Sequence, residues 1–284
     1  MIKNILITGG NGFIGKNLKE FLQNDYRLFC PRSYELDICD APKVREFFGK
    51  NNIDFIIHCA TVGGVRDVKD APETLDNNVS MVKNLIKYKS NNTNMIIFGS
   101  GAMYDKNRNL HKIKESQIGK VIPKDLYGLS KLKIFELVKN RQDTTCLNIF
   151  GCYGKYEKQT RFPTYAISQN IEHKPIIINQ NVVFDYMYIK DLLKIIHYFM
   201  HNKPFNNVIN VTPTISISLL EIAKIINKIS DYKSDIIIKN KELNYEYSGD
   251  NSILLKNIDV DFTTYEQGLM ELYGVLNENR KLHI

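Results

Sequence analysis

The chain has 284 residues, 43% hydrophobic and 24% charged, which is enough for one main domain with a smaller lobe and too apolar for disorder. With Gly at 16 and Cys at 5 it is neither collagen-like nor a disulfide scaffold, and Cys30, Cys39, Cys59, Cys146 and Cys152 lack zinc-ligand spacing. The net charge of +7 comes mostly from scattered lysines, so it reads as a solvated surface suiting an anionic ligand, not a nucleic-acid stripe.

The opening residues are too short for a signal-peptide core before glycine intervenes, and no apolar run nears the length of a membrane span. A soluble cytoplasmic protein is expected, with no membrane or nucleic-acid partner and no metal. Residues 2–7 are a short β-branched run and predict a buried strand. Residues 11–24 place Phe13, Ile14, Leu18, Phe21 and Leu22 on one helical stripe. A strand over 27–30 follows, then a helix opening at Asp40-Ala41-Pro42, with a capping Asp and an early Pro. Strands are predicted over 53–58, 94–99 and 144–150, and helices over 73–90 and 127–139. This alternation predicts an α/β fold, a doubly wound parallel sheet of the Rossmann type. Past residue 154 the rhythm changes. Short strands over 175–178, 182–187 and 208–211 mix with helices over 189–201, 218–230 and 264–276. The expected division is a dinucleotide-binding domain of 1–153 plus about 182–206, with a smaller α/β substrate lobe from about 154–181 and 207–284.

Between the first strand and the first helix lies Thr8-Gly9-Gly10-Asn11-Gly12-Phe13-Ile14-Gly15. It fits both G-x-G-x-x-G and G-x-x-G-x-x-G. Small residues there let the backbone approach a pyrophosphate, whose charge sits on the helix N-terminus. Gly9, Gly12, Phe13, Ile14 and Gly15 are therefore candidate cofactor residues. The second strand ends in Phe29-Cys30-Pro31-Arg32-Ser33, without the acid that holds a ribose 2′-hydroxyl. Arg32 is placed to meet a 2′-phosphate, which favours NADP(H) over NAD(H). Asp37 is either an adenine contact or a turn residue.

Tyr127 and Lys131 stand one helical turn apart on one face. A Lys ammonium near a phenol favours the phenolate, and such a Tyr can exchange a proton with a carbinol oxygen while hydride moves to or from nicotinamide. Ser100 closes the fourth strand, at the sheet edge where doubly wound folds bind ligands.

With these motifs in place, the chain resembles the extended short-chain dehydrogenase/reductases of the nucleotide-sugar type, the NAD-dependent epimerase/dehydratases. The resemblance covers nearly the whole chain and also rests on His58-Cys59-Ala60-Thr61, Asn78-Val79…Asn84-Leu85, Ser100…Tyr104, Phe150…Tyr153-Gly154 and Phe184-Asp185-Tyr186-Met187-Tyr188-Ile189-Lys190-Asp191. It implies that Tyr127 is the acid/base, Lys131 its charge partner and a cofactor-ribose ligand, and Ser100 the donor to the substrate oxygen. It adds Ile38, Cys59, Ala60, Thr61 and Asn78 on the cofactor side, and implies a homodimer through a four-helix bundle made by the 73–90 and 127–139 helices.

Within the family, 4,6-dehydratases carry an Asp-Glu pair just after the Ser. Gly101 and Ala102 stand there, so dehydration is excluded. Val62-Gly63-Gly64-Val65 and Arg32…Glu35-Leu36-Asp37 resemble the GDP-fucose synthase branch, whose epimerising Cys and His positions hold Ala102 and Thr160. Many relatives clamp the substrate pyrophosphate with an Arg where Phe184 stands, and contact the sugar with an Asn where Gly151 stands. Val62, Gly63, Ser100, Gly101, Ala102, Gly151, Lys155 and Arg161 are the expected substrate side. The expected activity is NADPH-dependent reduction of the C-4 keto group of a nucleotide-linked 4-keto-6-deoxy hexose or heptose, GDP-linked by this resemblance, without epimerisation, for capsular or other surface polysaccharide. The alternatives are a 4-epimerase with tightly held NAD and a catalytically silent, cofactor-sensing binding protein.

Overall fold

Apolar runs of the first half become strands, and the amphipathic segments between them become helices. The structure, a computed structural model, describes residues 2–65 and 68–281. In chain order, β1 (Asn4–Thr8) leads to α1 (Phe13–Leu22), β2 (Arg27–Phe29), α2 (Ala41–Lys50), β3 (Phe55–His58), α3 (Thr74–Tyr88) and β4 (Asn94–Ser100). A 3-10 turn (Gly101–Tyr104) and β5 (Leu110–Ile113) precede α4 (Leu126–Val138), β6 (Thr144–Ile149) and β7 (Gly151–Tyr153). Then come α5 (Phe162–Ile171), β8 (Ile176–Gln180), β9 (Val183–Phe184), β10 (Tyr186–Tyr188), α6 (Ile189–His201) and β11 (Val208–Val211). The chain finishes with β12 (Ile217–Ser218), α7 (Leu219–Ile229), β13 (Ile236–Asn240), β14 (Tyr247–Gly249), α8 (Ser252–Asn257) and α9 (Tyr265–Lys281).

The main sheet is parallel, in the order β11-β6-β4-β3-β1-β2. It is a Rossmann-like α/β sheet. The chain starts inside at β1, moves out to β2, and returns past β1 to β3. That reversal opens a crevice at the carboxyl ends of β1 and β3. Alternate strand residues face opposite sides, and both sides are covered. Ile5, Ile7, Ile57, Ile96 and Leu147 face α1 and α6, whereas Leu6, Ile56, Met95, Ile97 and Cys146 face α2, α3 and α4. A fully buried branched side chain contributes about 1.5–3 kcal/mol. A one-residue slip would reverse all these side chains at once, so packing fixes the register. As predicted, Asp40 caps α2 by accepting from Lys43 N–H. Asp125 caps α4 by accepting from Gly128 N–H. No described helix is long and apolar enough to cross a membrane.

The smaller lobe holds a four-stranded sheet, β12-β9-β14-β5, and the pairs β13-β8 and β10-β7, with α5, α7 and α9 packed together. Two expectations need correction. Residues 208–211 were assigned to the lobe, yet β11 is the edge strand of the main sheet, paired in register with β6. Residues 182–188 were assigned to the main domain, yet they form β9 and β10 in small sheets outside it. Only α6 from that segment covers the main sheet. The single strand expected over 182–187 is broken at Asp185, which is wholly buried. Its carboxylate accepts from Lys112 Nζ (3.3 Å), Ser216 Oγ (2.6 Å) and Gly249 N–H (2.8 Å), which turns the chain between the two strands.

Candidate active site

The glycine loop carries β1 into α1 through backbone contacts that no side chain fits. Gly9 has φ +65°, and a Cβ on it would lie 2.7 Å from Ala60 N. A Cβ on Gly15 would lie 2.3 Å from Gly9 O. Gly12 N–H donates to Gly9 O at 2.9 Å. Gly12 is also the N-cap of α1, and no side chain caps that helix. The first-turn N–H groups and the positive end of the helix dipole are therefore left for an anion. Phe13 and Ile14 are half-buried against the core and anchor the first turn. These residues fit a dinucleotide pyrophosphate.

The other cofactor-side expectations divide. Arg32 is exposed beyond β2, its guanidinium 5.9 Å from the Tyr34 ring centre, and its backbone N–H donates to Glu35 (2.7 Å). Among the described residues it makes no ion pair, so it is free to meet a phosphate. Asp37 accepts from Cys39 N–H (2.9 Å), which is the turn reading of that residue. Ile38 is buried, and its carbonyl accepts from Asn84 Nδ2. Cys59 and Ala60 back the glycine loop, and burial pushes the Cys59 thiol well up. Thr8 Oγ1 bonds His58 Nδ1 (2.7 Å) and accepts from Ala60 N–H (3.3 Å). Burial, then the Lys131 charge, lowers the His58 pKa to about 3, so that ring is neutral. Asn78, expected on the cofactor side, accepts at Oδ1 from Val62 N–H and Thr61 Oγ1 and donates from Nδ2 to Val62 O and Ser130 Oγ. All its polar atoms are engaged, so it clasps the loop after β3 to α4.

Ser100, Tyr127 and Lys131 gather at the carboxyl edge of β4. Ser100 is 8% exposed, and its Oγ accepts from Ala102 N–H at 3.2 Å. Lys131, 6% exposed, donates to Phe98 O (2.9 Å) and stands 5.4 Å from the centre of the Tyr127 ring. Sequence reasoning missed the residue that fixes Tyr127. One oxygen of Asp70 accepts from Tyr127 N–H (2.8 Å) and the other from Gly64 N–H (2.9 Å). Gly63 and Gly64 have φ of +79° and +70°. A Cβ on Gly63 would strike Asp70 (2.7 Å), and one on Gly64 would strike the Tyr127 ring (2.8 Å). Val62, at the start of this loop, is 37% exposed beside the site.

The lobe closes the opposite side with aromatic rings. Tyr247, from β14, stands beside Phe150 and Phe184, with ring centres 5.1 and 5.4 Å apart, and its hydroxyl lies where a side chain of residue 101 would be, next to Ser100 in the chain. Gly151 is tight: a Cβ there would meet Asp185 O (2.9 Å) and the Tyr186 ring (3.0 Å), so an Asn cannot fit. Arg161 precedes α5 and interacts electrostatically with Tyr247. Lys155 is drawn elsewhere: it pairs with Glu20 on α1 (2.9 Å) and lies over the Tyr156 ring.

The chain matches the model of the NAD dependent epimerase/dehydratase family over residues 5–212. It belongs to that family. It is 25% identical over 271 residues to a dTDP-D-glucose 4,6-dehydratase of Dictyostelium discoideum; that match takes 81% of the chain and spans 62% of the relative's length. It is 25% identical over 308 residues to a GDP-6-deoxy-D-talose 4-dehydrogenase of Aggregatibacter actinomycetemcomitans, covering 99% of each chain. Among solved structures it superposes on a GDP-mannoheptose C4 reductase from Campylobacter jejuni with NADP bound (TM-score 0.85, 19% identity, 96% of this chain and 98% of that one).

Two further positions bear on which chemistry of the family is open to this chain. Position 101, where the resemblance places a dehydratase carboxylate, is a glycine whose side-chain space is taken by Tyr247 Oη. Ala102 is 3% exposed and carries no titratable group.

Proposed function

We propose that the chain is an NADPH-dependent reductase of the C-4 keto group of a nucleotide-linked 4-keto-6-deoxy hexose or heptose, with GDP as the nucleotide, acting without epimerisation. The observation that carries this reading is a Ser100–Tyr127–Lys131 set in which the positions of the family's further acid and base hold none: Gly101 and Ala102 follow the Ser, and Thr160 is exposed. Epimerisation beside C-4 needs a further acid/base pair, and dehydration a carboxylate. The matched 4-dehydrogenase acts on a GDP-sugar, and the superposed reductase holds NADP, which supports the substrate class and cofactor.

Gly9, Gly12 and Gly15 would hold the cofactor pyrophosphate, and Arg32 the 2′-phosphate. When bound, the reduced nicotinamide supplies hydride to C-4. Ser100 donates a hydrogen bond to the keto oxygen and holds it beside Tyr127. The Tyr127 hydroxyl gives its proton to that oxygen as the C–O bond becomes single, and the phenolate left behind is reprotonated from solvent. The Lys131 ammonium stabilises that phenolate. α3 and α4 pack side by side, which supports a homodimer built on that helix pair. We place the enzyme in the cytoplasm, supplying a sugar for surface polysaccharide. The test is a panel of GDP-, dTDP- and CDP-linked 4-keto sugars, followed by loss of NADPH absorbance and product analysis. Net NADPH oxidation with the neighbouring centres unchanged is expected. Tightly retained NAD(H) and no net oxidation, with inversion of C-4 when the corresponding 4-hydroxy sugars are supplied instead, would overturn the reading in favour of an epimerase.

A further inference from the structure

A row of wholly buried polar side chains runs beneath the site, and the mechanism above does not use it. The row begins one residue before Ser100. Gly99 on β4, Asn148 on β6 and Asn210 on β11 stand side by side in register across three strands. Gly99 leaves the room for it, since a Cβ there would lie 2.0 Å from Asn148 Oδ1. Asn148 Nδ2 donates to Asn210 Oδ1 at 3.2 Å, and both residues are wholly buried. Asn210 is also tied to the end of β5 and the turn after it. Its Nδ2 donates to Ile113 O (2.9 Å) and its backbone N–H to Glu115 Oε1 (2.8 Å). A carbonyl only accepts, so the Asn210 amide must turn its oxygen the other way. There it meets Tyr104, whose hydroxyl donates to Asn210 Oδ1 at 2.6 Å.

We propose that Tyr104 is a positioning residue for the carbonyl reduction: its hydrogen bond to Asn210 anchors the far end of the 3-10 turn whose near end presents Ser100. The proposal rests on the reductase reading of the site. Ser100 is the N-cap of that turn, its Oγ accepting from Ala102 N–H at 3.2 Å. Tyr104 is the last residue of the turn. A 3-10 helix rises about 2 Å per residue, so the two ends lie within about 8 Å and a shift of one is felt at the other. Asp105, the next residue, has φ +66°. Such a backbone is strained for any residue but glycine, and it persists only where its neighbours hold it. Tyr104 is such a neighbour. Its ring is wholly buried and stacked on Phe150, with ring centres 5.9 Å apart, and its hydroxyl has a fixed acceptor. Burial raises the Tyr104 pKa furthest and the Glu115 charge adds to that, while the bonds to Asn210 and Asn148 offset part of it. Tyr104 therefore keeps its proton and its place, whereas Tyr127 must give its proton up in each turnover.

The decisive variant is Tyr104→Phe, which keeps the stacked ring and deletes only the hydroxyl. A misplaced Ser100 should lower kcat about tenfold, with sugar KM and NADPH affinity within about twofold of wild type. Loss of any buried hydrogen bond lowers Tm, so the control is Thr93→Val. Thr93 is buried at the opposite end of β4, where its Oγ1 donates to Ile53 O at 2.7 Å. That variant should lower Tm by a similar amount and leave kcat unchanged. In a Ser100→Ala background Tyr104→Phe should cost nothing further, because it acts through Ser100. A wild-type kcat in Tyr104→Phe, an equal loss in Thr93→Val, or a full additional loss in the Ser100→Ala background overturns the proposal. A second measurement does not depend on turnover. Hydrogen exchange over residues 99–105, followed by mass spectrometry, should be faster in Tyr104→Phe than in wild type and unchanged in Thr93→Val. Wild-type exchange in Tyr104→Phe removes the anchor and the proposal with it. If wild type reduces no sugar in the panel, the reductase reading falls, and exchange alone still decides whether Tyr104 anchors the turn.

Discussion

The side of the cleft that faces α1 and the side that faces the lobe are built from different materials. Toward α1 the contacts are backbone on backbone: Gly9 against Ala60, Gly15 against Gly9, and an uncapped helix start. Toward the lobe they are side chain on side chain: Phe150, Phe184 and Tyr247 packed ring to ring. A backbone cradle presents the same N–H groups to any pyrophosphate, so it suits a cofactor common to many enzymes. A wall of side chains changes shape with each substitution, so it suits the variable half of the reaction. Asp70 and Asn78 tie the loop between them to α4, and this is where the two halves meet.

Four changes test that division. The largest effect is expected from Tyr127→Phe, which removes the proton donor and should lower kcat by about a thousandfold, with NADPH affinity unchanged in a fluorescence titration. An equal loss of NADPH binding would mean that the halves are not separable. Gly15→Ala is the converse. Its Cβ would lie 2.3 Å from Gly9 O, a backbone atom that cannot swing away. Overpacking of this kind should weaken NADPH by about a hundredfold while leaving the lobe's aromatic near-ultraviolet dichroism intact. Asp70→Asn sharpens the boundary. An amide can accept only one of the two N–H groups and turns a donor toward the other, so kcat should fall about tenfold with little change in KM.

The smallest effect is one of stability. Glu157 accepts from Thr164 Oγ1 at 2.6 Å. Burial raises its pKa to about 8, against the lowering bonds of Thr164 and the charge of Arg161. An unfolded Glu ionises near 4.3. From there up to about 8 the folded chain holds a proton that the unfolded chain releases. This group therefore costs stability as pH rises through that window. Glu157→Gln should raise Tm relative to wild type more at pH 8 than at pH 5, by a few degrees at most because the residue is only half-buried. A Tm difference that is flat with pH would rule out a retained proton.

The backbone half was legible in the sequence and the side-chain half was not. Gly9, Gly12 and Gly15, and likewise Tyr127 and Lys131, lie at short, fixed spacings, so a turn or a helix face brings each set together. Ser100 could be placed because the strand before it is a plain apolar run. Tyr247 and Asp70 reach the site across the fold, from a three-residue strand and from an irregular loop. No local pattern marks either. Other polar side chains expected at the site also make structural bonds. Asp37 serves its own turn, Asn78 a clasp and Lys155 a pair with Glu20. The edge strand β11 was misplaced because pairing with β6, not composition, decides which sheet a short run joins.

Asp185 gives the lobe a single keystone. One wholly buried carboxylate joins the chain between Phe184 and Tyr186 to Lys112 on β5, to Ser216 and to β14. Three segments of the lobe side of the cleft are thus tied together through one residue. A lineage could exchange the rings on those segments one at a time to accept a new sugar while that residue kept the segments together, leaving the machinery on the other side of the cleft undisturbed.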